Sequence, residues 1–156
     1  MSAVLSLGSN LGDRLAHLNA GVDLLRQVVP VNAVSAVYET DPVGVTGQAP
    51  YLNCVAVVDS DDPETVLLAA QRAELLRGRV RSARWGPRTL DVDVVTVDAA
   101  VSDDPRLTLP HPRAHERAFV LLPWAEVDPV AELPRHGQVR RLLTRMDTSG
   151  VRLWSR

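Results

Sequence analysis

The stretch from Tyr51 to Gly78, YLNCVAVVDSDDPETVLLAAQRAELLRG, decides the fold because it joins a strand to a helix. The apolar run Tyr51–Asp59 predicts a strand. Asp62, Pro63 and Glu64 then form a strong helix start: a capping aspartate, a proline in the first turn and an acid. Apolar residues follow at helical spacing until Gly78, which is typical of a helix end.

Upstream of this segment, the sequence predicts a strand, a helix and a second strand. The first strand spans Ala3–Leu7 and is followed by a turn, with Asn10 as the expected cap of the first helix. A leucine-rich stripe at helical spacing runs through that helix, which ends before Pro30. The second strand spans Val31–Glu39.

Downstream, Asp91–Val97 reads as a fourth strand. The order strand, helix, strand, strand, helix, strand predicts an α+β, ferredoxin-like βαββαβ core with a mainly antiparallel sheet. We expect its helices on one face of the sheet, which leaves the other face free for a site. Extra C-terminal elements include a helix that begins near Glu116 and a short one around Val139–Arg145.

Length and charge narrow the function classes. The 156 residues fit one domain, 1–156, and the net charge of −2 gives no field that would attract nucleic acid or a membrane. The first residues lack the basic region of a signal peptide, and no apolar run is long enough to span a bilayer. We expect a cytoplasmic protein. The single cysteine, Cys54, lies in an apolar run and is expected in the core.

Asp91 and Asp93 are the first candidate site residues. They are two apart in a predicted strand, so both carboxylates project from one face. Two adjacent carboxylates are costly to bury unpaired, and a divalent cation such as Mg²⁺ would compensate them. Exposure to solvent, or pairing with arginines of the preceding loop, is the alternative.

Arginines are concentrated just before that strand. Six of them lie within 17 residues, from Arg72 to Arg88, and the chain contains no lysine. Guanidinium groups suit bidentate phosphate contacts, so arginines facing a carboxylate-bound metal indicate phosphoryl transfer. A solvated basic surface and an RNA-binding face remain alternatives from composition alone.

Aromatic residues make up only 4% of the chain, yet several lie in these segments. Tyr51 and Asn53 share a strand face, and Trp85 and Phe119 lie nearby in the predicted site segments. Rings can stack on a flat heterocycle while an amide reads its edge, although core packing is the simpler interpretation of each. His111 and His115 are four apart, but Pro112 lies between them and the sequence offers no third metal ligand, so a nucleotide contact suits His111 better.

These motifs together resemble those of the 6-hydroxymethyl-7,8-dihydropterin pyrophosphokinase family, from Leu5 to about Asp128. The most specific string is RWGPRTLDVD, residues 84–93, and the others are LGSNLGDR (7–14), YLN (51–53), QRAE (71–74) and LTLPH (107–111). The resemblance implies an enzyme that transfers pyrophosphate from ATP to the hydroxymethyl group of the pterin in folate biosynthesis. It also implies ATP as co-substrate and two Mg²⁺ ions, and we expect a monomer.

The resemblance further implies a role for each matching residue. Asp91 and Asp93 would hold the metals, and Arg79 and Arg88 would belong to a lid and act in catalysis. The residues implied at the pterin are Thr40, Pro42, Val43, Gly44, Tyr51, Asn53, Trp85 and Phe119. Those implied at the nucleotide are Gln71, Glu74, Arg79, Arg81, Trp85, Arg88, Arg106, Thr108, His111 and Arg117.

Two positions depart from the family pattern. Asp41 stands where proline is frequent, beside the loop implied at the pterin, and Pro112 stands where an aromatic residue is common. Other functions remain open on the residues alone, since a fold does not fix an activity. A nucleotide-binding regulatory module without turnover is one, and a small RNA-binding domain is another.

Overall fold

The computed structural model describes residues 2–42, 47–78 and 89–155. In chain order the elements are β1 (Ala3–Ser9), α1 (Arg14–Arg26), β2 (Val31–Val34), β3 (Val37–Thr40), β4 (Tyr51–Val58), α2 (Pro63–Leu76), β5 (Asp91–Val97), β6 (Ser102–Asp104), β7 (Leu107–Leu109), a 3-10 turn (Ala114–Glu116), α3 (Ala118–Val127), β8 (Glu132–Leu133), β9 (Gly137–Gln138), α4 (Val139–Leu143) and β10 (Val151–Ser155).

The main sheet has the strand order β10-β3-β4-β1-β5, and β2 also pairs with β4. All of these pairings are antiparallel. The helix α1 joins β1 to β3 across β4, and α2 joins β4 to β5 across β1, so two split β-α-β units interleave. This arrangement confirms the ferredoxin-like core expected from the sequence.

One face of the sheet packs against α1 and α2. Leu5 and Leu7 of β1 and Val92 and Val94 of β5 belong to this core, together with the alternate residues of β4. Gly21 of α1 allows a close approach, because a Cβ there would meet a Leu90 methyl at 2.9 Å. Two of the predicted helices therefore lie on one face, as expected.

The opposite face is partly covered, which the sequence did not indicate. Val4, Val55 and Val95 project from it into a second core with Leu121 and Trp124 of α3. These three valines lie toward one end of their strands. The end that carries Gly8, Tyr51 and Asp91 lies beyond this contact, so only that end of the second face remains for a site.

The start of α1 differs from the prediction. The helix begins at Arg14, and Asp13 caps it by accepting a hydrogen bond from the backbone N–H of Ala16 at 3.1 Å. Asn10 instead donates its side-chain amide to Gln48 Oε1 at 3.1 Å. The prediction of Asn10 as the cap was therefore wrong, because its amide is bound to a loop that is distant in sequence. The first strand also runs on through Gly8 to Ser9 rather than turning after Leu7.

The predicted strand Val31–Glu39 is two strands. The break falls at Ser35, whose side-chain oxygen accepts from Val55 N–H at 2.9 Å while its own N–H donates to the Val55 carbonyl. Next to it, Ala36 N–H donates to Glu126 Oε2 of α3 at 2.9 Å. A side chain thus replaces a backbone acceptor in the ladder, which interrupts the strand in the manner of a bulge.

The C-terminal part contains three strands that the sequence did not predict: β8 and β9, which pair with each other, and β10. The edge strand β10 pairs with β3 in the register Val151↔Thr40 and Arg152↔Glu39. The helix expected near Glu116 begins at Ala118 after the 3-10 turn, and α4 occupies Val139–Leu143. Among the described residues, no helix is both long and apolar enough to cross a membrane.

Candidate active site

The floor of the candidate site is a row of residues across three strands. Gly8 of β1 pairs with Asn53 of β4 on one side and with Asp91 of β5 on the other. Residues directly opposite each other in an antiparallel pair project from the same face. Asn53 and Asp91 therefore stand on either side of Gly8, at the end of the face that α3 leaves uncovered.

Asp93 lies two residues after Asp91 on β5 and projects from the same face. Ser6 lies opposite Asp93, while Val92 and Val94 between and beside the acids point into the helix-side core. Asp91 and Asp93 thus share the site face. The Asp93 side chain is 43% exposed, so its carboxylate is within reach of solvent and of a ligand.

Two cationic or potentially cationic side chains approach Asp93. Arg117, which precedes α3, donates from Nη1 to Asp93 Oδ2 at 3.4 Å, and His111 Nε2 lies 3.9 Å from the same oxygen. The Nδ1 atom of His111 accepts the backbone N–H of Arg113 at 3.2 Å, so the proton of the neutral ring is on Nε2, facing Asp93. Burial lowers the pKa of His111, and the Asp93 charge opposes that shift.

On the β4 side, Thr40, Tyr51 and Asn53 come together. The Asn53 amide donates to the Thr40 hydroxyl at 2.8 Å, and both residues are buried. A Cβ atom on Gly8 would lie 2.9 Å from Asn53 Oδ1 and 3.3 Å from Tyr51 Cδ1. Gly8 therefore leaves room for an amide and an aromatic ring to converge above the sheet.

The aromatic residue Phe119 lies in the first turn of α3, half-buried against the second core. The guanidinium carbon of Arg117 is 5.5 Å from its ring centroid, a cation–π distance. Arg117 thus joins the acid side of the site to an aromatic side chain. Pro42, expected at the pterin, is half-buried just after Thr40.

Of the described residues expected at the nucleotide, Glu74 contacts the edge of β5 directly. Glu74 is buried on α2, and its Oε2 accepts the N–H of Val92 at 3.1 Å, so it also holds the strand that carries both acids. Gln71 is exposed one turn earlier. Thr108 of β7 donates its hydroxyl to the Asp104 carbonyl at 3.1 Å.

Arg106, between β6 and β7, is bound to acids. Its Nη2 atom lies 2.8 Å from Glu64 Oε1 and 3.2 Å from Asp104 Oδ2. These contacts raise the pKa of Arg106. A phosphate that recruits Arg106 would have to compete with two exposed carboxylates.

Several expected site residues lie outside the described residues, and their roles stay predictions. They are Val43, Gly44, Arg79, Arg81, Trp85 and Arg88.

Sequence reasoning missed Gly8, Arg14 and Arg152. Gly8 was assigned to a turn, although a glycine that ends an apolar strand is itself a signal for close approach of another group. Arg14 and Arg152 make contacts with residues 36 and 111 positions away, and no local pattern indicates such pairs.

A magnesium ion suits the donor set of the acid pair. Two carboxylates on one strand face supply hard oxygens, and magnesium is usually completed by water and substrate phosphates. Within the described ranges, no group of three or more acidic, histidine or cysteine side chains forms a metal site. Because magnesium usually keeps positions for water and phosphate oxygens, the pair fits a cation that is shared with a phosphate ligand.

Paired carboxylates beside an arginine, next to an amide and aromatic rings, define a class: enzymes that transfer phosphoryl groups by positioning and charge neutralisation. Residues 4–129 match the family model for 7,8-dihydro-6-hydroxymethylpterin-pyrophosphokinase (HPPK). The chain belongs to the HPPK family.

Curated relatives agree with this assignment. The 2-amino-4-hydroxy-6-hydroxymethyldihydropteridine pyrophosphokinase of Mycobacterium tuberculosis is 46% identical over 168 residues, which cover 97% of this chain and 88% of the relative. The Bacillus subtilis protein of the same name is 42% identical and covers 97% and 89%, respectively. The Pseudomonas aeruginosa protein is 38% identical.

Solved structures share the fold. A crystal structure of HPPK-DHPS from Plasmodium falciparum superimposes with a TM-score of 0.70 at 15% identity. It covers 92% of this chain, which spans 44% of the longer chain, so the likeness concerns the HPPK-like fold alone.

Proposed function

We propose that this chain transfers the pyrophosphoryl group of ATP to the hydroxymethyl oxygen of 6-hydroxymethyl-7,8-dihydropterin and releases AMP, a step of folate biosynthesis. The family and the names of the curated relatives support this activity. The structural observation that supports it is the row Asn53–Gly8–Asp91, in which the Asn53 amide and the first acid of the pair lie on either side of one glycine.

Asp91 and Asp93 are proposed to hold Mg²⁺, and two ions are expected from the family resemblance. When bound, the metal would neutralise charge on the phosphate oxygens. Both side chains lie on the open end of the sheet face, where triphosphate oxygens can complete the coordination. Arg117 now neutralises Asp93, and a cation at Asp93 would free the guanidinium group for a phosphate.

Four further residues are proposed to orient the pterin: Thr40, Asn53, Tyr51 and Phe119. The Thr40 hydroxyl accepts a hydrogen bond from Asn53, which fixes the amide so that its oxygen and its second N–H can meet the edge of a flat ring. Tyr51 and Phe119 are proposed to stack on the two ring faces. In-line attack then forms a bond from the hydroxymethyl oxygen to the β-phosphorus and breaks the bond from the β-phosphorus to the α,β-bridging oxygen, which leaves with AMP. The proton of the hydroxymethyl group is released to water. Arg79 and Arg88 are proposed to stabilise the charge that develops.

The product of the reaction tests this proposal directly. The protein is incubated with ATP, magnesium and 6-hydroxymethyl-7,8-dihydropterin, and the nucleotides are separated. AMP that appears only with the pterin supports pyrophosphoryl transfer. ADP would indicate an ordinary kinase, and retained nucleotide binding without any product would indicate a regulatory module.

Asp93→Asn tests the metal assignment. It keeps the size of the side chain but removes the charge that a divalent cation needs, so we expect kcat to fall at least about a hundredfold, the loss of roughly 3 kcal/mol of transition-state stabilisation. Higher magnesium should recover part of the rate. The exposed Asp61→Asn variant is the matched control, with a normal rate. An Asp93→Asn enzyme with near-normal turnover would refute the metal role.

Three further properties are proposed on the sequence and the resemblance. Residues 1–156 act as one domain, the protein works as a cytoplasmic monomer, and nucleic acid is not a ligand. Size-exclusion chromatography with light scattering and a nucleic-acid titration at low salt test the second and third.

A further inference from the structure

The C-terminal strand β10 reaches the segment that leads into the candidate pterin site. Arg152 makes a two-pronged contact with Asp41: Nη1 lies 3.2 Å from Oδ2, and Nη2 lies 3.0 Å from Oδ1. The same Nη2 is 3.1 Å from Glu39 Oε1. A planar guanidinium that meets a carboxylate with two nitrogens fixes direction as well as distance.

Backbone contacts support the same junction. The Asp41 N–H donates to the Gly150 carbonyl at 3.2 Å, and Val151 pairs with Thr40 in the ladder. Asp41 is therefore held by its backbone and by its side chain, directly after Thr40. Thr40 is the residue whose hydroxyl positions the Asn53 amide.

Glu39 extends the network to the start of α1. Its second oxygen, Oε2, lies 3.0 Å from Arg14 Nη1, and that nitrogen also donates to the Pro50 carbonyl at 2.8 Å. One chain of contacts thus connects Arg152, Glu39, Arg14 and Pro50. Together with the Arg152–Asp41 contact, it holds Glu39 and Asp41 near Pro50.

The charges in this network are complementary at neutral pH. The hydrogen bonds from Arg152 lower the pKa of Asp41 and of Glu39 from their usual values. The side chains of Asp41 and Arg152 are nevertheless 60% and 46% exposed. Exposed pairs contribute little to global stability, so the expected effect of this contact is local.

We propose that Asp41 and Arg152 are positioning residues for the dihydropterin: β10 holds the backbone at Thr40 and Asp41 so that the Thr40 hydroxyl and the Asn53 amide keep their geometry. This proposal rests on the proposed function. It gives β10 a role in substrate recognition and gives Asp41, where this chain departs from the family pattern, a partner of its own.

Steady-state kinetics with each substrate varied in turn test the proposal. Arg152→Gln and Asp41→Asn should each raise the KM for the dihydropterin about two- to fivefold, the range that matches an exposed ion pair. The KM for ATP and the kcat should stay unchanged, because neither residue contacts the acid pair. Asp41→Asn leaves the Arg152–Glu39 contact in place, so β10 should stay paired with β3 in this variant.

A double-mutant cycle and a conservative variant separate positioning from general stability. The Asp41→Asn/Arg152→Gln double variant should have the same pterin KM as Arg152→Gln alone, because Arg152→Gln already removes the contact with Asp41 together with the one with Glu39. Arg152→Lys keeps the charge without the two-pronged geometry and should give an intermediate KM. The control is Arg26→Gln, which removes an exposed pair with Asp23 on α1 and should leave both KM values at the wild-type level.

The outcomes are distinct from those for the activity itself. A wild type that releases AMP, with variants that keep the wild-type pterin KM, overturns the positioning role and leaves the activity standing. Equal changes in both KM values, together with a lower melting temperature, would assign the pair to stability and also overturn it. A wild type without pterin-dependent AMP release refutes the function on which the role depends.

Discussion

At the scale of single residues, Gly8 allows the side chains of Asn53 and Tyr51 to approach the backbone of β1 closely. Gly8→Ala would place a methyl group 2.9 Å from Asn53 Oδ1 and 3.3 Å from Tyr51 Cδ1, distances that force the amide or the ring to move. We expect the KM for the dihydropterin to rise about tenfold, the equivalent of roughly 1.4 kcal/mol, with a smaller change for ATP. Measured KM values for both substrates check this.

Gly150→Ala is the matched control for that substitution, because nothing lies within 4 Å of the added Cβ and the backbone carbonyl that accepts from Asp41 is retained. Its pterin KM should equal that of the wild type. An unchanged pterin KM in Gly8→Ala would contradict the convergence of Tyr51 and Asn53 on the site.

The sequence predicted site residues that lie on one strand, because their spacing fixes which face they share. The shared face of Asp91 and Asp93 follows from the two-residue period of a strand, and the register of β5 places both as expected. The Arg117–Asp93 contact joins residues 24 positions apart. Only the packing of α3 brings them together, so no local pattern indicated it.

At the scale of elements, the open edge of β5 depends on α2. Glu74 Oε2 accepts the N–H of Val92, between the two acids. Glu74→Ala would leave this buried N–H donor without its acceptor, so we expect the free energy of unfolding to fall by about 1–3 kcal/mol. The KM for ATP should rise as well, because the strand that carries Asp91 and Asp93 loses a restraint. Denaturant unfolding and steady-state kinetics measure the two effects.

Glu74→Gln separates the hydrogen bond from the charge. Its amide oxygen can still accept from Val92, so most of the stability should return. If Glu74→Ala unfolds like the wild type, the contact with the β5 edge is not stabilising.

Elements with a strong apolar period were predicted well, and the others required long-range contacts. The strands β4 and β5 and the helix α2 lie within one or two residues of their predicted bounds. The strand β10 was missed because it is short, and both Leu153 and Trp154 are exposed, so no alternation marks a buried face. Its evidence is the pairing with β3, more than a hundred residues earlier.

At the scale of the whole molecule, α1 and α2 cover one face of the sheet, α3 covers part of the other, and Cys54 lies in the core under α1 and α2. Cys54 is 2% exposed, on β4 between β1 and β3, and burial raises the pKa of its thiol to about 12. Because the thiolate is the reactive form, the native protein should not react with thiol reagents at pH 8. Labelling then requires that the central strand open.

Cys54 therefore reports how substrates stabilise the whole fold. A ligand that binds only the native state lowers the population of open molecules, so at a hundred times its Kd it should slow labelling about a hundredfold. We expect this protection from ATP with magnesium, and its loss in Asp93→Asn, while Asp61→Asn keeps it. The time course of labelling by an aromatic disulfide, followed with and without ligand under mildly denaturing conditions, measures the effect. Rapid labelling that ligands do not slow would contradict this prediction. It would mean that β4 opens locally and that this opening is not coupled to ligand binding at the acid pair on β5.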